Sequence, residues 1–307
     1  MPARRNGPVS SNVRPQMRFK LLCNSYWKVK LSITTFLMTL AIATAFVPKI
    51  ADAQSCRFDR LMIREIRANL EQRTKLSAIP DDFQSISQSI DKERSANGLL
   101  LRRTARGRPQ GFFLAFPGNA QTAAQIVEEM RPFADAGFDV YAFDYIHLVG
   151  PSPLPRLADL VSDARALVRL YVQDSRYRST NNVLYGASTG GLLLAQAVKN
   201  NISPSTKVIF DSVPDRIPRM LFCDEELNPI EAVNEMSPAS GALLVLNGRK
   251  DQKVLPANSR GIAESALKKG GCHVVLANGF HPFESDDLKL ERIKAIMLHA
   301  FEGCSTK

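Results

Sequence analysis

The sequence predicts an α/β protein built on a doubly wound, mostly parallel sheet. Three observations predict it. From Gly111 onward, short apolar runs alternate with helix-forming runs at the spacing of β-α-β units. In the middle of that alternation an apolar run, Val183-Leu184-Tyr185, passes through Gly186-Ala187-Ser188-Thr189-Gly190 into the helix-forming run Leu192–Val198. The chain of 307 residues is also 45% hydrophobic and 23% charged, enough apolar material for a sheet buried on both faces.

The elements follow in order. Residues 1–53 read as a signal peptide: a basic start, an apolar stretch Leu31–Val47 diluted by Ser32 and four threonines, then Ala51-Asp52-Ala53, the small-x-small pattern that precedes cleavage, here before Gln54. Met17 is an alternative start, and an uncleaved membrane anchor is the alternative use of the segment. Cys56 lacks the small residues before it that lipidation needs. Residues 54–307 read as a single domain. Within it, 54–80 is an N-terminal helical extension, with Leu61, Ile63, Ile66, Leu70 and Leu76 near helical spacing. Phe83–Ile90 suggests an exposed strand, Asn97-Gly98 a turn, and Leu99–Thr104 a second strand. Phe112–Phe116 is the first central strand and Ala120–Ala136 its helix. Phe138–Phe143 is the next strand, followed by a loop with Pro151, Pro153 and Pro155 and by the helix Leu157–Gln173. After the serine turn, Lys207–Phe210 forms a strand that ends at Asp211. Residues 212–238, with four prolines and Asp224-Glu225-Glu226, break the rhythm and read as a short cap or lid. Ala242–Leu246, Pro256–Lys269, Cys272–Ala277 and Ser285–Phe301 then give strand, helix, strand and helix.

Charge and cysteine content narrow the class. The formal charge of +10 invites a nucleic-acid reading, but residues 1–53 hold eight basic residues and one acid, leaving 32 basic and 29 acidic residues in the remainder. No nucleic-acid partner is expected from so balanced a body. Membrane contact is expected only through the leader, if it is retained. Outside the leader lie four cysteines, Cys56, Cys223, Cys272 and Cys304. In an exported, oxidising setting they suggest two disulfides with three possible connectivities; in a cytosolic protein they would be free thiols. No C-x-x-C occurs, and His147, His273, His281 and His299 lack paired ligand spacing, so no metal site is expected.

The serine turn carries the chemistry. G-x-S-x-G between a strand and a helix holds its serine on a strained bend, with Gly186 and Gly190 where side chains would collide. The bend exposes the Ser188 hydroxyl at a helix N-terminus. An ordinary Gly/Ser loop is the bland alternative. A serine hydroxyl needs a base, and the base an orienting acid. Asp251 follows the Ala242–Leu246 strand, with Asp211 as its rival. His281 follows the Cys272–Ala277 strand, whereas His273 lies in a strand, His299 in the last helix and His147 in the proline-rich loop.

Gly186–Gly190, Gly248–Asp251 and Gly279-Phe280-His281, in the order Ser…Asp…His, resemble the α/β-hydrolase superfamily, and among its members the esterase and serine-aminopeptidase-like group. The resemblance spans residues 83–303. It implies an α/β-hydrolase sheet, a Ser188–His281–Asp251 triad, no cofactor, and an oxyanion hole from the backbone N–H groups of Thr189 and Asn119. The loop Phe116-Pro117-Gly118-Asn119-Ala120 is similar to the family's His-Gly-Asn-Ala turn, with Pro117 in place of histidine. The implied fold also pairs Cys272 with Cys304, with Cys56 and Cys223 as the second pair. The expected activity is exported, periplasmic or secreted, hydrolysis of a small-molecule ester through an acyl-enzyme. An amidase, peptidase or acyltransferase would use the same residues, and a non-catalytic binding protein on the same fold is the reading from a different class.

Overall fold

The computed structural model describes residues 63–64, 67–68, 79, 81–92, 94–102, 108–119, 121–144, 157–178, 180–199, 202–215, 227–282, 284 and 289–304. Its strands are β1 (Phe83–Ser89), β2 (Ser95–Leu101), β3 (Gly111–Phe116), β4 (Phe138–Phe143), β5 (Asn182–Ala187), β6 (Thr206–Asp211), β7 (Leu243–Gly248) and β8 (Cys272–Leu276). They form one sheet in the order β1-β2-β4-β3-β5-β6-β7-β8. Strand β2 runs antiparallel to both neighbours, and every pairing from β4 to β8 is parallel.

The helices are α1 (Ala123–Glu129), α2 (Arg131–Asp135), α3 (Leu157–Gln173), α4 (Thr189–Val198), α5 (Pro229–Glu235), α6 (Arg260–Lys268) and α7 (Lys289–Glu302). Strand residues point alternately to the two faces, and this splits the core in two. Phe112, Leu114, Phe116, Val208, Phe210 and Val245 pack with α3, α4, α5 and α6. Phe113, Ala115, Tyr185, Ile209 and Leu246 pack with α1, α2 and α7. Every residue of β3, β4, β5 and β7 is buried, which explains why these strands read as unbroken apolar runs rather than alternating ones.

Three local readings change. Asn97-Gly98 is not a turn but lies inside β2. A Cβ at Gly98 would stand 2.4 Å from the Ala142 carbonyl oxygen, so glycine serves a close approach of neighbouring strands there. The hairpin bends instead at residues 90–94, where Asp91 Oδ1 accepts from the Arg94 N–H at 2.9 Å. The helix expected over 120–136 is two: it breaks at Met130, just before Pro132, whose ring nitrogen has no proton to continue the ladder. The run 256–269 begins as a 3₁₀ turn, Pro256–Ser259, and continues as α6.

Of the N-terminal extension, Ile63 is buried in the core. The signal peptide, Cys56 and Cys223, and residues 216–226 of the cap expected over 212–238 lie outside the described residues. The remainder of that segment includes α5, whose Ala232 and Val233 are buried against the α4 side of the sheet. Cys272 and Cys304 form a disulfide, with Cα atoms 5.7 Å apart, across the start of β8 and the end of α7. Among the described residues no helix is long and apolar enough to cross a membrane.

Candidate active site

The C-terminal ends of β3, β5, β6, β7 and β8 share one edge of the sheet, because these strands are parallel. Ser188 follows β5 with φ 50° and ψ −119°, a left-handed conformation that costs a non-glycine residue about 1–3 kcal/mol. The surroundings hold it there. Its N–H donates to the Asp211 carbonyl at 2.9 Å, and its carbonyl accepts from Gly191 and Leu192, closing the first turn of α4. A Cβ at Gly190 would lie 2.1 Å from the Phe116 carbonyl oxygen, and one at Gly186 would lie 2.6 Å from Gly191 Cα. Only glycine permits backbones this close. Ser188 itself is half-exposed at the mouth of the turn.

The loop after β3 abuts this turn: a Cβ at Gly118 would stand 3.5 Å from Ser188 Cβ. Gln121 stabilises the loop by accepting from the Gly118 N–H at 3.1 Å. Asn119 sits at its exposed tip and Thr189 at the first position of α4. The described residues supply no hydrogen-bond acceptor to the backbone N–H of either residue. Among the described residues, then, the Thr189 N–H at the helix N-terminus and the Asn119 N–H in the loop that abuts the serine turn are both without an acceptor.

After β7, the Asp251 carboxylate is buried and fully engaged. Oδ1 accepts from the Lys253 and Val254 N–H groups, both at 2.9 Å, and Oδ2 bonds His281 Nδ1 at 2.9 Å. Burial pushes the carboxyl pKa up. The His281 hydrogen bond, the Val254 N–H and the charge on His281 outweigh that and hold it below the ordinary carboxylate value. The two loops are laced together by the Lys250 N–H donating to the Gly279 carbonyl at 2.8 Å. His281 Nδ1 is thus anchored, which leaves Nε2 for other work. No hydrogen bond among the described residues joins Ser188 Oγ to the imidazole; the serine and the histidine–acid pair follow strands whose C-terminal ends lie on the same sheet edge.

The rival acid, Asp211, is committed elsewhere. Its carboxylate pairs with Arg292 and accepts from the Tyr185 hydroxyl at 2.8 Å, all of it buried. Arg292 also donates to the Phe280 carbonyl at 2.6 Å, next to His281. Sequence reasoning missed Arg292, since nothing in a helix of mixed polarity marks which basic residue turns inward. It also passed over Ser212, fully buried, with φ 51° after β6. The Ser212 hydroxyl stands beside the Asp251 carboxylate and lowers its pKa further, though its geometry falls short of a full hydrogen bond. Its signal was its place, one residue past a strand end at the same edge as Ser188. Of the other histidines, His273 bonds Asn247 at 3.0 Å on β8 and His299 lies in α7, while His147 lies outside the described residues.

The strand order, the strained serine between β5 and α4, and the acid–histidine pair after β7 and β8 define the α/β-hydrolase fold. No protein-family model and no curated protein matches the chain. Solved structures do. Esterase Est2 of Thermogutta terrifontis, bound to propionate, superposes with a TM-score of 0.57 at 19% identity, over 73% of this chain and 94% of that one. The same esterase phosphorylated by paraoxon gives 0.58 at 19% identity, over 76% and 98%. The esterase domain of a Rhodothermus marinus protein gives 0.54 at 16% identity, over 71% and 98%.

Proposed function

We propose that this chain is a serine hydrolase of small carboxylic esters. Ser188 carries the proposal: a non-glycine residue held at φ 50° at a helix N-terminus, on the sheet edge where His281 is already oriented by a buried carboxylate. Strain of this kind persists where the surrounding structure enforces it, and here it exposes a hydroxyl.

In the proposed reaction Ser188 Oγ attacks the ester carbonyl carbon and its proton passes to His281 Nε2. Asp251, ionised and bonded to Nδ1, fixes the tautomer and stabilises the imidazolium that forms. The carbonyl oxygen, now an oxyanion, accepts from the Asn119 and Thr189 N–H groups. The C–O bond to the leaving group breaks, and His281 returns the proton to the departing alkoxide. Water, deprotonated by the same histidine, attacks the acyl-enzyme and releases the acid and free Ser188.

Short acyl chains are favoured by analogy, because the Thermogutta esterase is known with propionate and with butyrate bound. That esterase is also known phosphorylated by paraoxon, which makes organophosphorus probes the natural test. A fluorophosphonate is expected to label wild type and leave Ser188→Ala unlabelled. Folded wild type that stays unlabelled would overturn the hydrolase reading in favour of a binding protein. Across p-nitrophenyl esters from acetate to octanoate, turnover is expected to peak at propionate or butyrate.

Export belongs to the same proposal. The Cys272–Cys304 disulfide supports an oxidising compartment. Sequencing the N-terminus of the mature protein is expected to begin at Gln54; an intact Met1 or Met17 terminus on the cytosolic fraction would reverse this.

A further inference from the structure

At the sheet edge opposite His281, one strand length of about 16 Å away, three metal-binding side chains converge. The sulfurs of Cys272 and Cys304 and the ring nitrogen of His299 lie within 4.8 Å of one another. His299 Nδ1 stands 3.7 Å from Cys272 Sγ and 3.9 Å from Cys304 Sγ. Its other nitrogen, Nε2, donates to the Ala242 carbonyl at 3.2 Å. That bond places the proton on Nε2 and turns the Nδ1 lone pair toward both sulfurs. A backbone carbonyl fixing the far nitrogen is the arrangement by which proteins orient a metal-binding histidine.

The spacing suits a tetrahedral ion. Zinc bonds of about 2.3 Å to sulfur and about 2.0 Å to nitrogen separate S from N by about 3.5 Å and S from S by about 3.8 Å. Both sulfur–nitrogen distances are already near that figure, so only the two sulfurs need to part. The backbone holds the ligands in place without the disulfide. Cys272 pairs with Leu244 in the sheet, and the Cys304 N–H donates to the Gly241 carbonyl at 3.1 Å. Both cysteines are half-exposed, which admits water as a fourth ligand.

We propose that reduction of the Cys272–Cys304 disulfide opens a Cys-Cys-His site that binds one divalent soft metal ion of the zinc class. A dithiol supplies the two electrons and two protons that convert the disulfide to two thiols, and closes to its own cyclic disulfide. The metal then displaces both thiol protons to solvent and takes two thiolates, His299 Nδ1 and a water. The site stands apart from the proposed hydrolase chemistry and does not depend on it.

Cobalt(II) is the probe. The full chain is reduced with a dithiol, freed of it by gel filtration without air, and titrated with Co²⁺. The expected result is a near-ultraviolet thiolate-to-cobalt band with intense visible d–d bands, saturating at one equivalent. Oxidised protein is expected to show neither. His299→Ala is expected to weaken binding by about tenfold or more, and Cys272→Ser to abolish the band. Cys23→Ser/Cys56→Ser/Cys223→Ser keeps all three proposed ligands and removes every other thiol of the chain, so it is expected to keep the full signal and assigns the band to this cluster. Reduced, folded protein without the band, or a band lost in that triple variant, would overturn the proposal.

Discussion

Arg292 donates to the Phe280 carbonyl at 2.6 Å while its other terminal nitrogen pairs with Asp211. One buried guanidinium thus ties the loop that carries His281 to the strand whose last carbonyl holds the Ser188 N–H. The loop of the candidate base is held by Arg292 and the candidate nucleophile by Asp211, the two members of one ion pair.

Removing this brace separates stability from positioning. Arg292→Met leaves Asp211 charged and buried with Tyr185 as its remaining partner, and is expected to cost about 3–5 kcal/mol. Asp211→Asn/Arg292→Met removes both charges and is expected to recover most of that in urea denaturation. Ester turnover in the double variant is still expected to fall, with kcat lowered and KM little changed, because the Phe280 carbonyl has lost its donor. Full recovery of kcat would reduce Arg292 to a structural role.

The tightest approach at the serine turn offers a second test. Any Cβ at Gly190 would overlap the Phe116 and Pro117 carbonyl oxygens, at 2.1 and 2.4 Å, and backbone cannot yield as a flexible side chain does. Gly190→Ala is therefore expected to destabilise by about 3 kcal/mol or more, or to displace the Asn119 loop. Fluorophosphonate labelling of the folded fraction should drop sharply while Ser188 itself is unchanged. Wild-type labelling and melting temperature together would show that the loop does not depend on this contact.

How much of this was legible beforehand depended on how local the signal was. The serine turn and the helix Leu157–Gln173 were readable because glycine spacing and apolar periodicity are written in consecutive residues. Asn97-Gly98 misled because a turn glycine and a close-approach glycine look identical in one dimension; Phe143, which crowds Gly98, is 45 residues away in sequence. The Asp211–Arg292 pair spans 81 residues and is fixed only once the sheet order and α7 packing are known. For the same reason the spacing of Cys272, His299 and Cys304 carried no metal signal: the first two are 27 residues apart and meet only where α7 returns along β8.

The choice between Asp251 and Asp211 can be put directly to kinetics. Asp251 bonds His281, whereas Asp211 is occupied by Arg292 and Tyr185. Asp251→Asn keeps the shape but reverses the hydrogen-bonding preference at Nδ1, and is expected to lower kcat by about 10⁴-fold, the loss seen when a triad acid is neutralised. Asp211→Asn is expected to act chiefly on stability, leaving folded enzyme with a far smaller loss in kcat. Equal losses, or the reverse order, would reassign the acid.

The same carboxylate sets a pH dependence whose sign follows from its environment. Burial raises the Asp251 pKa, but the His281 hydrogen bond, the Val254 N–H and the His281 charge together bring it below the ordinary value. In the unfolded chain the group titrates near 3.9, as an unperturbed aspartate does (about 3.9). A carboxyl whose folded pKa is the lower of the two contributes stability that is fully present above the unfolded value and is lost as pH falls through the folded one. Wild type is therefore expected to lose stability more steeply than Asp251→Asn as pH falls from the ordinary carboxylate range through the lower pKa of the folded-state carboxyl. The variant has no proton to bind at this position and should show a shallower acid limb in urea titrations at matched ionic strength. Ser212→Ala removes the neighbouring hydroxyl that also favours the ionised form, and is expected to lie between the two. Identical acid limbs for wild type and Asp251→Asn would mean that the His281 and Val254 contacts do not hold the carboxylate below its ordinary range.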